Sequence, residues 1–170
     1  MRRATGTIHV FTFKQGLLAA AAHDLRLHFA EFTCVVEGEA VKVVLDLNAL
    51  RVDGPVRGGV VRPDEYDARQ RADIERAARR EVLRADRFPT ASFDGQAVPT
   101  AGGFDVRGTL TLAAREGALA FSMKEDGGIY RGGFELQPSR WGIAPYSAML
   151  GAIRVQDRVR IDIALRQAEG

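Results

Sequence analysis

The chain has 170 residues, 46% of them apolar and 27% charged, with a formal net charge of +2 from 24 basic and 22 acidic side chains. That composition excludes a disordered or fibrous chain, and the length suits a single domain over residues 1–170 whose core needs no metal or disulfide staple. A net charge this small gives no basis for nucleic-acid binding, even with a sequence pI near 9.0.

The opening decapeptide has no signal-peptide core, and no apolar run reaches the roughly 20 residues of a membrane-spanning helix. Residues 7–13 alternate with aromatic and β-branched side chains, the pattern of a half-buried strand. The short apolar run 16–22 follows that alternation, so it reads as structure and not as an export signal. Over residues 23–29, Leu25, Leu27 and Phe29 point one way, with Asp24, Arg26 and His28 opposite. Ala30-Glu31 then shifts the phase to Phe32, Cys34 and Val36, as a β-bulge does. Cys34 is the single cysteine; it rules out an internal disulfide or a cysteine zinc site and fits a buried thiol in a reducing compartment. With no leader in the sequence as given, the expected location is the cytoplasm, or the periplasm if a leader has been removed.

Gly38 predicts a turn, and Val41, Val43, Leu45 and Leu47 the next strand. Val52-Asp53-Gly54-Pro55 and Gly58-Gly59 have loop chemistry. Residues 64–83 lack Gly and Pro and predict a helical insertion. Its acid-first pairs at i,i+4 are Glu65/Arg69, Asp67/Arg71 and Glu75/Arg79, and its narrow apolar stripe contains Tyr66, Ile74, Ala77, Ala78 and Leu83. After Pro89, strands resume over 90–98 and through Phe104, Val106, Gly108, Leu110 and Leu112. Glu116-Gly117 predicts a turn before Leu119, Phe121 and Met123, and Asp126-Gly127-Gly128 predicts a hairpin into 129–137. Residues 138–152 are irregular and hold the only tryptophan; 155–166 close the chain with a last alternating strand. The sum is a mostly β protein of about eight strands with one helical insertion. Eight antiparallel strands can close into a barrel holding one small ligand, and a two-sheet sandwich is the rival.

Four segments in order, within about residues 7 to 165, resemble the YceI-like family of lipocalin-like, polyisoprenoid-binding proteins. They are Ala22-His23-Asp24-Leu25-Arg26-Leu27, the helix-to-strand junction Leu83-Arg84-Ala85-Asp86-Arg87-Phe88-Pro89-Thr90-Ala91-Ser92-Phe93, the strand Val106-Arg107-Gly108-Thr109-Leu110-Thr111-Leu112, and Ser139-Arg140-Trp141-Gly142-Ile143. Where that family carries a Gly-then-basic turn after its Leu-Thr strand, this chain has Ala113-Ala114-Arg115-Glu116-Gly117. The resemblance implies an eight-stranded antiparallel lipocalin-like barrel with a helical element and an elongated apolar cavity for a prenyl chain.

Catalytic signals are weak. His23 and Asp24 are neighbours on a strand and face opposite ways, so they form no dyad with each other; a structural place at the strand start or a place at a ligand headgroup remains. His9 and His28 have no local histidine partner, and three histidines with one cysteine give little to hold a metal. No nucleophile elbow, phosphate loop or dinucleotide fingerprint occurs. The inward apolar set Leu25, Leu27, Phe29, Phe93, Leu110, Phe121, Phe134 and Ile161 fits either a filled core or a cavity lining, and the resemblance favours the cavity. The apolar, nearly uncharged stretch holding Trp141, Tyr146 and Met149 is expected at the barrel mouth, with Arg140 and His23 as candidates for a polar head.

The expected function is a carrier or sequestering protein for an amphipathic isoprenoid-type lipid, without catalysis, cofactor or metal. Homodimerisation is compatible with it. Two alternatives stand beside it: an isomerase- or cyclase-type enzyme acting on a barrel-bound lipid, with His23 the first suspect, and a filled-barrel structural or dimerisation module.

Overall fold

The alternating segments pair in chain order as antiparallel neighbours, and the last one returns to the first. The computed structural model describes residues 1–15 and 23–168; the apolar run 16–22 lies outside the described residues. Its strands are β1 (Arg2–Gln15), β2 (Asp24–Phe29), β3 (Phe32–Glu37), β4 (Ala40–Asp46), β5 (Leu50–Arg57), β6 (Val60–Val61), β7 (Thr90–Thr100), β8 (Gly103–Leu112), β9 (Arg115–Asp126), β10 (Ile129–Leu136), β11 (Ser147–Ala148) and β12 (Ile153–Gln167). The helix α1 (Ala68–Arg76) runs on into a π-helical turn, Ala77–Val82.

The ring β1-β3-β4-β7-β8-β9-β10-β12 closes when β12 pairs with β1, from Ala4↔Gln167 to Gln15↔Arg154. This is a closed eight-stranded antiparallel barrel, not a sandwich. Closure removes the unpaired sheet edges that a sandwich would leave. β2 and β3 are two halves of one strand along β1. The pairing steps by one residue between His9↔His28 and Ala4↔Cys34, which is the bulge that the phase shift at Ala30-Glu31 predicts.

The two ends of the barrel differ. At one, the β3–β4, β7–β8 and β9–β10 turns lie beside the start of β1 and the end of β12; we call it the hairpin end. At the other, α1 packs across β5, and the turns of residues 138–151 complete the rim.

Three local expectations are corrected. Residues 52–55 are not loop: they belong to β5, paired with β2 across a register shift at Arg26/Leu27. Gly54 sits at that irregularity because a Cβ there would stand 2.8 Å from the Arg62 carbonyl oxygen, and a bulge is where proline is tolerated in a strand, as at Pro55. Gly117 is not in a turn either. The β8–β9 turn is Ala113-Ala114, both left-handed (φ 50° and 59°), while Gly117 lies inside β9.

On the helix, only the Glu75–Arg79 pair forms as expected, at 3.1 Å. Glu65 precedes the helix in a 3-10 turn and binds Arg57 instead. Asp67 is the N-cap of α1, with Gln70 completing a capping box, so its carboxylate is engaged with backbone rather than with Arg71. Arg71 donates to the carbonyls of Pro63 and Tyr66.

Candidate functional site

The barrel interior is hollow. A cavity of about 970 Å³ runs its length, from Arg2, Arg3 and Arg166 at the hairpin end to Tyr66, Ile74 and Leu83 under the helix. That volume lies at the upper end of the roughly 300–1,000 Å³ usual for small-molecule sites. Its wall is almost wholly apolar, because inward positions of the strands carry Val, Leu, Ile, Phe and Met in the period-two pattern.

Glycines explain why large side chains leave the lumen open. Gly95 of β7 faces Gly108 of β8, and a Cβ on either would stand 2.7 Å from the Phe93 ring. The ring therefore lies flat along bare backbone instead of crossing the tube. Trp141 does the same over Gly117, where a Cβ would stand 2.5 Å from Cζ2. Its indole Nε1 donates to the Leu110 carbonyl oxygen at 3.1 Å, which satisfies the one polar atom of a ring 97% removed from solvent, its exposure being 3%. Phe121 bridges Phe93 and Phe134, with ring centroids 6.3 and 4.8 Å away, and so extends an aromatic band along the same wall.

Of the residues singled out from sequence, Leu25, Leu27, Phe29, Phe93 and Leu110 all line the cavity. So do Phe121, Phe134, Trp141, Tyr146 and His23. Arg140 does not. The 3-10 turn Pro138–Trp141 carries Trp141 inward and leaves Arg140 exposed on the outside. The side chain of Met149 lies outside the described residues. The apolar stretch after Trp141 is divided: Ile143 is buried, Tyr146 lines the tube, and Leu150 is fully exposed at a left-handed backbone position, φ 55°.

The turn that delivers Trp141 is fastened to β12. Asp157 accepts from the Ser139 backbone N at 3.0 Å, from the Ser139 hydroxyl, and from Gln137 Nε2 at 3.0 Å. The Ser139 hydroxyl bond, with its backbone N–H and Gln137 adding, holds the Asp157 carboxyl below its ordinary range. Gly142, at φ 73°, ends the turn where a side chain would be strained and would meet the Arg115 guanidinium. These contacts give a physical reason for the Ser139–Ile143 motif.

The helix is fastened over its end of the tube by its own ion pair. Glu75 accepts from the Val52 backbone N at 3.0 Å, and Arg79 donates twice to the Leu50 carbonyl oxygen, at 2.9 and 2.6 Å. Tyr66, Ile74, Ala78 and Leu83 pack on Leu27, Leu50 and Val52 below, the stripe expected from sequence. His23 stands beside this cap, its ring centroid 6.2 Å from that of Tyr66. Asp24 turns away and accepts from the Lys14 backbone N at 2.8 Å, so the pair faces apart as the strand geometry requires.

Sequence reasoning missed charged and polar residues of the lining, Arg2, Asp73, Gln156 and Gln167 among them, and the hydroxyl of Thr12, which is buried without a hydrogen-bond partner. It also missed a network on the outer wall. Asp53 of β5 holds Arg26 Nε at 2.8 Å and His28 Nδ1 at 2.7 Å, while His9 lies directly across from His28. Strand pairing, not spacing along the chain, brings these groups together. Cys34 lines the tube, 5% exposed, and burial pushes its thiol up. Among the described residues no three His, Cys, Asp or Glu side chains converge to hold a metal ion, and no helix is long and apolar enough to cross a membrane.

A closed eight-stranded antiparallel barrel around a long apolar tube, capped by a helix, is an architecture with room for one small ligand. The chain belongs to the YceI-like family, whose domain model matches residues 4–167. Among curated proteins none gives a significant match. Solved structures do. BcnA of Burkholderia cenocepacia superposes with a TM-score of 0.66 at 15% identity over 96% of each chain. A polyisoprenoid-binding domain from Saccharophagus degradans, implicated in plant cell wall breakdown, superposes at 0.62 with 11% identity over 96% of this chain and 94% of that one. A YceI protein of Campylobacter jejuni follows at 0.55, with 10% identity over 85% of each. At such identities the likeness is one of fold.

Proposed function

We propose that this barrel binds a single-tailed isoprenoid-type amphiphile in its tube and carries or sequesters it without making or breaking bonds. The observation behind this reading is the tube itself: about 970 Å³ of apolar space running the length of the barrel. The likeness in fold to a polyisoprenoid-binding domain supports the same ligand class.

The driving force is transfer of the tail out of water. Each CH₂ contributes up to about 0.8 kcal/mol. Realised affinities are smaller: a tail of about twenty carbons at about 0.3 kcal/mol per heavy atom gives roughly 6 kcal/mol, a dissociation constant in the tens of micromolar. Phe93 and Trp141 lie pressed to the wall over glycine, so a guest need not pay to move them aside.

Two measurements test the reading together. Mass spectrometry of an organic extract of the purified protein should find a stoichiometric isoprenoid-type lipid. After delipidation, geranylgeraniol should shift the emission of Trp141, the sole tryptophan and a residue of the tube wall. No lipid in the extract and no saturable shift on titration would overturn it.

A further inference from the structure

The barrel wall is paired unevenly. The β8–β9 ladder runs from Gly103↔Lys124 to Leu112↔Arg115, and β10 pairs with β12 from Tyr130↔Leu165 to Leu136↔Val159. Between β9 and β10 the ladder stops after four pairs, Ile129↔Asp126 to Gly132↔Met123. Both strands nevertheless run on toward the helix end, β9 back to Arg115 and β10 to Leu136. The ladder ends at two successive glycines, Gly132 and Gly133. Glycine inside a strand marks a bend or a close backbone approach, and a Cβ on Gly132 would stand 2.6 Å from the Ser122 carbonyl oxygen. Beyond that point the wall is a split whose two lips are not joined by strand pairing.

Side chains close the split. On the inside, Phe121 of β9 and Phe134 of β10 stack with ring centroids 4.8 Å apart. Toward the rim, where β10 has ended, the turn Pro138–Trp141 packs against both β9 and β12. Trp141 lies over Gly117 of β9, and Asp157 of β12 accepts from Ser139 and Gln137. Those bonds are solvent-exposed, so water replaces them at small net cost. The helical cap is held differently. Glu75 and Arg79 are only 18% and 23% exposed and bind the backbone of β5, and the helix stripe packs on buried Leu27, Leu50 and Val52. Local opening follows exposed hydrogen bonds and sparse apolar burial, which favours the split over the cap.

We propose that the seam between β9 and β10 is the route by which the tail enters and leaves the tube, with the Pro138–Trp141 turn as its latch and the helix as a fixed cap. A long tail then enters sideways without being threaded through an end of the barrel. This rests on the carrier reading above and deepens it.

The test follows exchange rates on the delipidated full chain, with geranylgeraniol as probe and Trp141 emission in stopped flow as signal. Ala120 and Glu135 are exposed and would face each other if the β9–β10 register ran on. In the double variant Ala120→Cys, Glu135→Cys, a short bismaleimide with a reducible disulfide in its spacer ties the lips together. Cys34, 5% exposed inside the barrel, stays in place, and the unaltered chain treated with the linker is the control. The tie should slow association and dissociation about tenfold or more with little change in Kd, and reduction of the linker should restore both rates. Asp157→Asn, outside the tube lining, loosens the latch and should speed both rates about threefold or more. The same tie in Arg57→Cys, Glu65→Cys pins the approach to the helix onto β5, where the two side chains pair at 2.8 Å, and should leave the rates as they were. Unchanged rates in the tied seam, or slowing only in the helix tie, would overturn the seam route and leave the carrier reading standing. Unchanged rates in Asp157→Asn would overturn the latch. Failure of the probe to bind the unaltered chain would overturn the carrier reading and the seam route with it.

Discussion

Gly117 and Trp141 set the wall of the tube between them. A Cβ at Gly117 would stand 2.5 Å from Cζ2 and 2.8 Å from Cε2 of the indole, so the ring has to move if a methyl appears. Gly117→Ala should cost about 1–3 kcal/mol, the usual range for overpacking, read as a lower urea midpoint. It should also change the Trp141 emission in the folded state, because the indole leaves its bond to Leu110. A variant with wild-type stability and emission would contradict this packing. His9 offers a second test. Burial holds its pKa below 6.5, with Arg26 and His28 pressing the same way and Asp53 and Asp162 opposing. A histidine that is harder to protonate folded than unfolded contributes stability above about pH 6.5, and loses it as pH falls through the lowered value. Stability should therefore drop on acidification from about pH 7 to about pH 5, and His9→Gln should flatten that part of the curve; an unchanged slope would show that other groups set it.

At the scale of elements, most strands were legible because one face is apolar and the other solvated, which writes period two into the sequence. The bulge at Ala30-Glu31 was legible for the same reason. Elements whose composition serves a contact instead of a backbone preference were not. Asp53-Gly54-Pro55 looks like a loop, yet Gly54 is there for the close approach of Arg62 and Asp53 for the Arg26 and His28 side chains. Glu116-Gly117 looks like a turn, yet its glycine serves Trp141, and the true turn falls on two alanines that give no turn signal. Those alanines are strained, since left-handed backbone costs an L-residue about 1–2 kcal/mol. Replacing Ala113-Ala114 by Asn-Gly, the pair that such two-residue hairpins prefer, should raise stability by about 1–2 kcal/mol, seen as a rise of several degrees in Tm. No rise, or a fall, would mean that the alanine methyl groups make contacts worth more than the strain.

For the whole molecule, the number of strands followed from counting alternating segments; closure into a ring, rather than a sandwich, came only with the family resemblance, and the hollow did not follow from the residues at all. The same inward residues, Leu25, Leu27, Phe29, Phe121 and Phe134, would serve a filled core equally well. What separates the two outcomes is where the large rings lie, and that depends on cross-strand glycines such as Gly95 and Gly108, which meet only once the register is known. The most direct measurement is a crystal structure of the chain purified from cells without delipidation, with the interior density read before any guest is fitted. A single elongated rod of density lying between Phe93, Phe121 and Trp141 is the predicted result. A tube closed by the protein's own side chains, with no room for a guest, would contradict the account.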